Sequence, residues 1–264
     1  MTSPAPAPLS PKVYIVGAGP GDLDLLTLKA YRLLTQADVI LYADSLVPRQ
    51  VLQDVRPDAE IIHTAHKTLE EILPIMVARV RSQQSVVRLH SGDPCLYGAV
   101  QEQMQALAEA EIPFEVIPGI SAFQAAAARL SIELTLPNLV QTVILTRISG
   151  RTQVPPTEEL ASLAAHQATL CLYLSARHIE QAQAKLLLHY APDLPVAICY
   201  RLGWPDEQVF TVPLAEMASA TQMHQLQRTT LYVISPVLAA TRAQTRSRLY
   251  HPEHHHLFRP ANPP

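Results

Sequence analysis

Val13-Tyr14-Ile15-Val16-Gly17-Ala18-Gly19-Pro20-Gly21-Asp22 is an apolar run, then three alternating glycines around a proline, then an acid. The chain has only eight glycines in 264 residues, so three in one short stretch mark a local backbone requirement. Glycine is placed where the backbone takes positive φ or lies against another group without a Cβ. The apolar run predicts a strand and Asp22 the N-cap of a helix, which puts the glycines in a strand-to-helix turn. In open α/β sheets such turns line the ligand crevice, and a ligand is expected to approach this backbone.

A dinucleotide fingerprint, G-x-G-x-x-G, would need glycine at 22, where the chain has Asp22, with Asp24 just beyond. A carboxylate there occupies the positive end of the helix and repels a pyrophosphate, which counts against NAD or FAD.

Working outward, strand-like runs alternate with helical patterns. Leu25–Leu34 reads as a helix and Val39–Tyr42 as a strand. Thr68 with Glu71 makes a capping box before a helix to about Arg81, with a kink expected at Pro74. Val86–Leu89 and Phe114–Ile117 read as strands, with helices at 97–111 and 121–130. This βαβ repetition predicts a mainly parallel N-terminal sheet. Strand Thr142–Thr146 closes that domain, and 149–157, with Gly150 and two adjacent prolines, reads as the linker. Strands at 170–174, 196–200, 209–212 and 231–234, with helices near 179–188 and 213–226, follow. Trp204-Pro205-Asp206-Glu207 joins two strands too closely for a crossover helix, so the C-terminal sheet is expected to be mixed. The organisation is therefore α/β: a disordered leader at 1–11, domains at 12–148 and 158–238, and a flexible tail at 241–264.

A formal charge of −3 gives no basic field for nucleic acid. No run approaches the ~18 apolar residues of a membrane span. Cys95, Cys171 and Cys199 lack metal-type spacing and suit a reducing cytoplasm without disulfides. His251, His254, His255 and His256 have no carboxylate or thiolate frame around them, so no metal site is expected.

Two further turns repeat the first pattern: His90-Ser91-Gly92-Asp93-Pro94-Cys95-Leu96-Tyr97-Gly98 and Pro118-Gly119-Ile120-Ser121-Ala122. With the first they hold six of the eight glycines, and all three fall at carboxyl ends of expected strands. Together they predict a single crevice.

At these residues the chain resembles the tetrapyrrole methylases, which transfer a methyl group from S-adenosylmethionine. The likeness runs from about Lys12 to Val237. Within the family it is greatest to a branch methylating C11 of a corrin precursor in cobalamin synthesis. It is carried by Tyr42-Ala43-Asp44-Ser45-Leu46-Val47, by 90–99, by Gln141–Arg147 with Gly150-Arg151-Thr152, and by 204–207. The resemblance implies two α/β domains with the cofactor in the cleft between them, and a homodimer. Carried over by position, cofactor contacts fall on Pro20, Ser91, Gly92, Asp93, Leu96, Ser121 and Ala122, and in the second domain on Leu174, Leu202 and Thr230. Asp93 with turn carbonyls would take the cofactor's cation.

The implied substrate is a macrocycle bearing many carboxylates, for which Arg88, His90, Arg147, Arg151 and Lys67 are the candidate donors. Asp44 and Asp22 are candidate bases. Three rivals remain at this point: a sister methylase acting at C2/C7, C17 or C20, a nicotinamide oxidoreductase built on the Gly17 turn, and a noncatalytic tetrapyrrole-binding module.

Overall fold

The computed structural model describes residues 8–150, 152–240, 254–255 and 258–259. The leader at 1–7 and most of the expected tail lie outside the described residues. Residues 8–11 depart from the expected disorder: Leu9 packs against a core cluster, and Tyr14 donates its hydroxyl to Ser10 O at 3.3 Å.

The chain forms two compact units, Met1–Ala125 with Arg201–Glu207, and Ala126–Tyr200 with Gln208–Pro264. The first holds β1 (Val13–Gly17), α1 (Leu28–Gln36), β2 (Val39–Tyr42), β3 (Glu60–His63), α2 (Leu69–Arg81), β4 (Val86–His90), α3 (Val100–Glu109) and β5 (Phe114–Ile117). Its sheet has the order β3-β2-β4-β1-β5, and every pair is parallel. Parallel pairing needs a crossover, and the helices that supply it cover both faces. Val16, Ile40 and Leu89 meet α1 through Ala30, Leu33 and Leu34; Val13, Ile15 and Val86 meet α2 and α3 through Ile72, Met76, Val100 and Leu107. Both faces of β1 are therefore buried, which its uninterrupted apolar sequence requires.

Local departures from the sequence reading have local causes. Asp22 opens a 3₁₀ turn at Leu23–Leu25, and the helix proper starts after Thr27, whose hydroxyl accepts from Ala30 N at 3.1 Å. The box at Thr68 forms, with Thr68 N donating to Glu71 Oε2 at 2.7 Å, and α2 continues through Pro74. β3 escaped the pattern because it is a half-exposed edge strand of four residues.

The second unit continues α4 (Ala122–Leu130), whose first residues belong to the first unit, into β6 (Val143–Arg147), α5 (Leu160–Ala164), β7 (Thr169–Tyr173), α6 (Ile179–Leu186), β8 (Pro195–Tyr200), β9 (Gln208–Pro213), α7 (Met217–Met223) and β10 (Thr230–Ile234). The sheet order is β6-β7-β10-β8-β9; β6 and β7 are parallel and the remaining pairs antiparallel, so it is mixed. Leu160, Ile179, Ala182, Leu186 and Met217 cover one face of it.

The strand read from sequence at 142–146 as the end of the N-terminal domain is corrected here: as β6 it pairs with β7. Thr169 Oγ1 donates to Leu134 O at 2.8 Å, and Ile132, Leu136 and Ile144 pack on Val140, Ala168 and Val237, which holds 126–148 to this unit. Residues 201–207 move the opposite way, into the first unit.

Acid stability has a visible source. Glu115 accepts from Lys12 Nζ at 2.6 Å and from Lys29, and the two cations hold its carboxyl below the usual 4.5; Lys185 does the same for Glu159. A depressed folded-state value gives stability that is complete above the unfolded value and is lost as pH falls through the folded one. Thermal midpoints should be flat from pH 7 to 5 and fall below about pH 4.5, and Glu115→Gln should flatten part of that fall. An unchanged slope would show that the pair contributes nothing.

Candidate functional site

Because β4, β1 and β5 are neighbours, the turns leaving their carboxyl ends meet, and they meet backbone to backbone. Ala18 N donates to His90 O at 2.8 Å, Gly92 N to Gly19 O at 2.8 Å and Gly19 N to Gly92 O at 3.2 Å. A Cβ on Gly119 would lie 2.3 Å from Gly92 O, and one on Gly17 would lie 2.6 Å from Gly119 Cα. These two glycines are needed by one another. Gly92 differs: its φ is +66° and a Cβ there would make an ordinary contact, 3.7 Å from Ser121 Cα, so what requires glycine is the backbone conformation.

The carboxylate of Asp93 joins two of the turns. Its Oδ1 accepts from Cys95 N at 2.8 Å and its Oδ2 from Gly119 N at 3.0 Å. Each carboxylate oxygen has a further lone pair beyond its backbone N–H bond, so these bonds build the turn and leave Asp93 able to face a cation. On the other side of Gly19, the 201–207 loop packs on the Gly21-Asp22 turn. Gln50 Nε2 donates to Gly21 O at 2.7 Å and to Gly203 O at 2.9 Å, and a Cβ on Gly21 would sit 2.6 Å from the Trp204 ring. Leu202, expected in the second domain, therefore belongs with the first unit, where it is buried.

A profile of the family described as Tetrapyrrole (Corrin/Porphyrin) Methylases matches residues 12–218, taking in all three turns and the 201–207 loop. The chain belongs to the tetrapyrrole methylases. It is 44% identical over 248 residues to a Pseudomonas aeruginosa protein named Precorrin-4 C(11)-methyltransferase, covering 94% of this chain and 98% of that one. A crystal structure described as a cobalamin biosynthetic enzyme, cobalt precorrin-4 methyltransferase, superposes with a TM-score of 0.83 at 41% identity, covering 86% of this chain and 96% of the other. The uroporphyrin-III C-methyltransferase of Thermus thermophilus, solved with S-adenosylhomocysteine, gives 0.73 at 30% identity, covering 86% and 99%.

Among the residues expected from the methylase resemblance, Pro20 and Ser121 are buried beside the turns, Ser91 is exposed, and Leu96 and Ala122 are half-buried. Ser121 N is capped by Gln124 Oε1 at 2.9 Å. Leu174 and Thr230 lie in the second unit, Leu174 exposed with φ +52° after β7 and Thr230 buried at the start of β10. Asp22 is a cap, its Oδ1 accepting from Asp24 N at 2.9 Å. Asp44 follows β2 and faces His63 Nδ1 at 3.6 Å, a partner the sequence reading missed because β3 was missed.

The candidate donors separate into groups. Arg147 spends its guanidinium on the backbone of its own loop, Nη1 on Thr152 O at 3.1 Å and Nη2 on Gln153 O at 3.0 Å. Arg151 lies outside the described residues. Lys67 is half-buried in the turn after β3, its N–H bonded to Thr64 O at 3.1 Å. Arg88 and His90 are brought together on β4, where they line a cavity of ≈ 260 Å³ with Glu102 and Gln103 of α3. Burial pulls Arg88 down to about 10, and burial with the Arg88 charge pulls His90 down to about 3, so His90 is neutral at pH 7. Gln103 carried a readable signal: Val100, Gln103 and Leu107 form the buried stripe of α3, and a glutamine in that register is a polar group in a core position.

Proposed function

We propose that this chain is an S-adenosylmethionine-dependent methyltransferase acting at C11 of precorrin-4 or cobalt-precorrin-4 in cobalamin biosynthesis. The reading rests on the 44% identity to the Pseudomonas aeruginosa precorrin-4 C(11)-methyltransferase along 94% of the chain. The turns fit the cofactor. The Gly92 turn takes positive φ, and nothing there requires a phosphate. The proposed contacts are Pro20, Ser91, Gly92, Asp93, Leu96, Ser121, Ala122, Leu174, Leu202 and Thr230, with Asp93 also building the turn.

The bound cofactor supplies an electrophilic methyl group. The chain's contribution is to hold the ring carbon in line and exclude water, and effective molarities of ~10⁵–10⁸ M are available to well-oriented pairs. Asp44 beside His63 is the favoured proton acceptor; Asp22 is the weaker choice, since its carboxylate is engaged as a cap. Arg88, His90 and Lys67 are the proposed substrate donors. The described residues include no helix long and apolar enough to cross a membrane. Cys171 and Cys199 are buried free thiols, which suits a cytoplasmic enzyme, read here as a homodimer.

Incubation with precorrin-4 and with cobalt-precorrin-4, using ¹³C-methyl-labelled S-adenosylmethionine and NMR of the product, tests the assignment. Label at C11 is expected. Label at C17 or C20 would transfer the chain to a sister activity, and tight NADH binding without S-adenosylhomocysteine binding would remove it from methyl transfer.

A further inference from the structure

Gln50 lies in a 3₁₀ turn, Arg49–Leu52, and Val47 and Val51 seat that turn in the core cluster around Val16 and Ile40. The half-buried Gln50 side chain serves two carbonyls from one amide nitrogen, Gly21 O at 2.7 Å and Gly203 O at 2.9 Å. Among the described residues no backbone N–H meets either carbonyl, so both rely on this amide. Gly21 directly follows Pro20 and Gly203 directly follows Leu202. The 201–207 loop braces itself. Gly203 N donates to Glu207 Oε2 at 2.7 Å, Trp204 N to Arg201 O at 3.0 Å and Glu207 N to Trp204 O at 3.1 Å. The Arg201 guanidinium lies 4.7 Å from the Trp204 ring centre and pairs with Asp206 at 2.5 Å. A loop held this way moves as one body. Its seat is the Gly21-Asp22 turn, where a Cβ on Gly203 would lie 2.4 Å from Asp22 N. Packing that close sets a minimum separation, and the two bonds from Gln50 set the direction and keep the surfaces together.

We propose that Gln50 is a positioning residue for the cofactor: its carboxamide locks the 201–207 loop onto the Gly21 turn and so holds Leu202 and Pro20 in one arrangement. This rests on the reading given under Proposed function, in which Pro20 and Leu202 touch the cofactor. A carboxamide nitrogen carries two N–H groups in one plane, one for each carbonyl, so a single side chain registers two segments that lie far apart in the chain. A misplacement of about 1 Å at groups that orient a reactant costs on the order of 10²-fold. Without Gln50 the loop keeps its internal bonds but loses its register with Pro20. The interaction removed is one made equally before and during methyl transfer, so the loss falls on KM for the cofactor and leaves kcat in place.

The test uses the full chain and takes Trp204, its one tryptophan, as the reporter on the loop. Gln50→Met keeps the length and the apolar stem and removes both donors. With far-UV circular dichroism unchanged, its Trp204 emission should shift to the red and become easier to quench with acrylamide. S-adenosylhomocysteine binding, measured by calorimetry, should weaken roughly fivefold to thirtyfold, the factor that two modest hydrogen bonds govern. KM for S-adenosylmethionine should rise alike, with kcat within about twofold of wild type. Gln50→Lys returns a donor to the same place and should recover part of the affinity and of the Trp204 emission. Unchanged S-adenosylhomocysteine affinity in a folded Gln50→Met protein overturns the assignment. So does a loss of kcat without a change in KM, or a loss of affinity that Gln50→Lys leaves untouched, since either would make Gln50 a structural residue only. If the wild-type chain binds no S-adenosylhomocysteine, the methyltransferase reading and the positioning role fall together. If Gln50→Met loses cofactor affinity as expected, yet the wild-type chain leaves C11 of precorrin-4 unmethylated, the positioning role stands and the C11 assignment falls.

Discussion

Gly119→Ala should destabilise the protein by at least about 3 kcal/mol, the upper end of overpacking penalties and a large part of a typical 5–15 kcal/mol total. The new methyl carbon would lie 2.3 Å from Gly92 O and 2.9 Å from Gly17 Cα, and both are backbone atoms that no side-chain rotation relieves. Gly17→Ala meets the same obstacle from the opposite strand, 2.6 Å from Gly119 Cα. Gly92→Ala is a different perturbation. Its φ of +66° imposes roughly 1–2 kcal/mol of left-handed strain, but its methyl would meet its nearest neighbour, Ser121 Cα, at an ordinary contact distance of 3.7 Å. Urea unfolding should therefore rank Gly119→Ala and Gly17→Ala well below Gly92→Ala. The reverse order would mean that the turns do not pack on one another as described. On activity the order should invert, because Gly92 is a proposed cofactor contact.

That ranking bears on how much the sequence disclosed. The scarcity of glycine located all three turns, and the apolar runs before them placed each at the carboxyl end of a parallel strand. What approaches the backbone of Gly17 and Gly119 is the neighbouring turn, and the reason lies in strand order. The order β4-β1-β5 follows from how each crossover is wound, and no periodicity within a strand encodes it. The same limit explains β6. Val143-Ile144-Leu145-Thr146 reads as a strand in either sheet, and its allegiance is decided by Leu134, Leu136 and Val140, which lie in a stretch with no regular pattern. Trp204-Pro205-Asp206-Glu207 was legible as a short connection between antiparallel strands. Its attachment to Gly21 through Gln50 was not, since 153 residues separate Gln50 from Gly203.

The donors divide by what their sequence context concealed. Arg147 and Arg88 look alike as arginines near the ends of strands, yet Arg147 has its own loop carbonyls within reach and Arg88 has only Thr64. Alternation on Val86-Val87-Arg88-Leu89-His90 puts Arg88 and His90 on one face, and burial of both faces of β4 follows once the sheet is known to be parallel and interior.

Asp93→Ala should show how far the cofactor turn depends on its own internal bonds. The substitution leaves Cys95 N and Gly119 N without their acceptor and frees the second and third turns from each other. Bonds to a charged acceptor contribute about 1.5–3 kcal/mol each, and Asp93 is half-exposed, so the pair should be worth roughly 2–3 kcal/mol in unfolding experiments. Asp93→Asn keeps one oxygen and turns an amide N–H toward the other donor, so it should fall between. S-adenosylhomocysteine affinity, measured by calorimetry, should drop tenfold or more in both variants, because Gly92 and Leu96 flank the tethered residue. Asp44→Asn, outside these turns, should leave that affinity within about twofold and act on turnover instead. Equal losses at Asp93 and Asp44 would refute the separation of turn-building from proton handling. Asp93→Ala with undiminished stability and a selective loss of cofactor binding would make direct contact with the cofactor's cation, and not turn-building, the main role of Asp93.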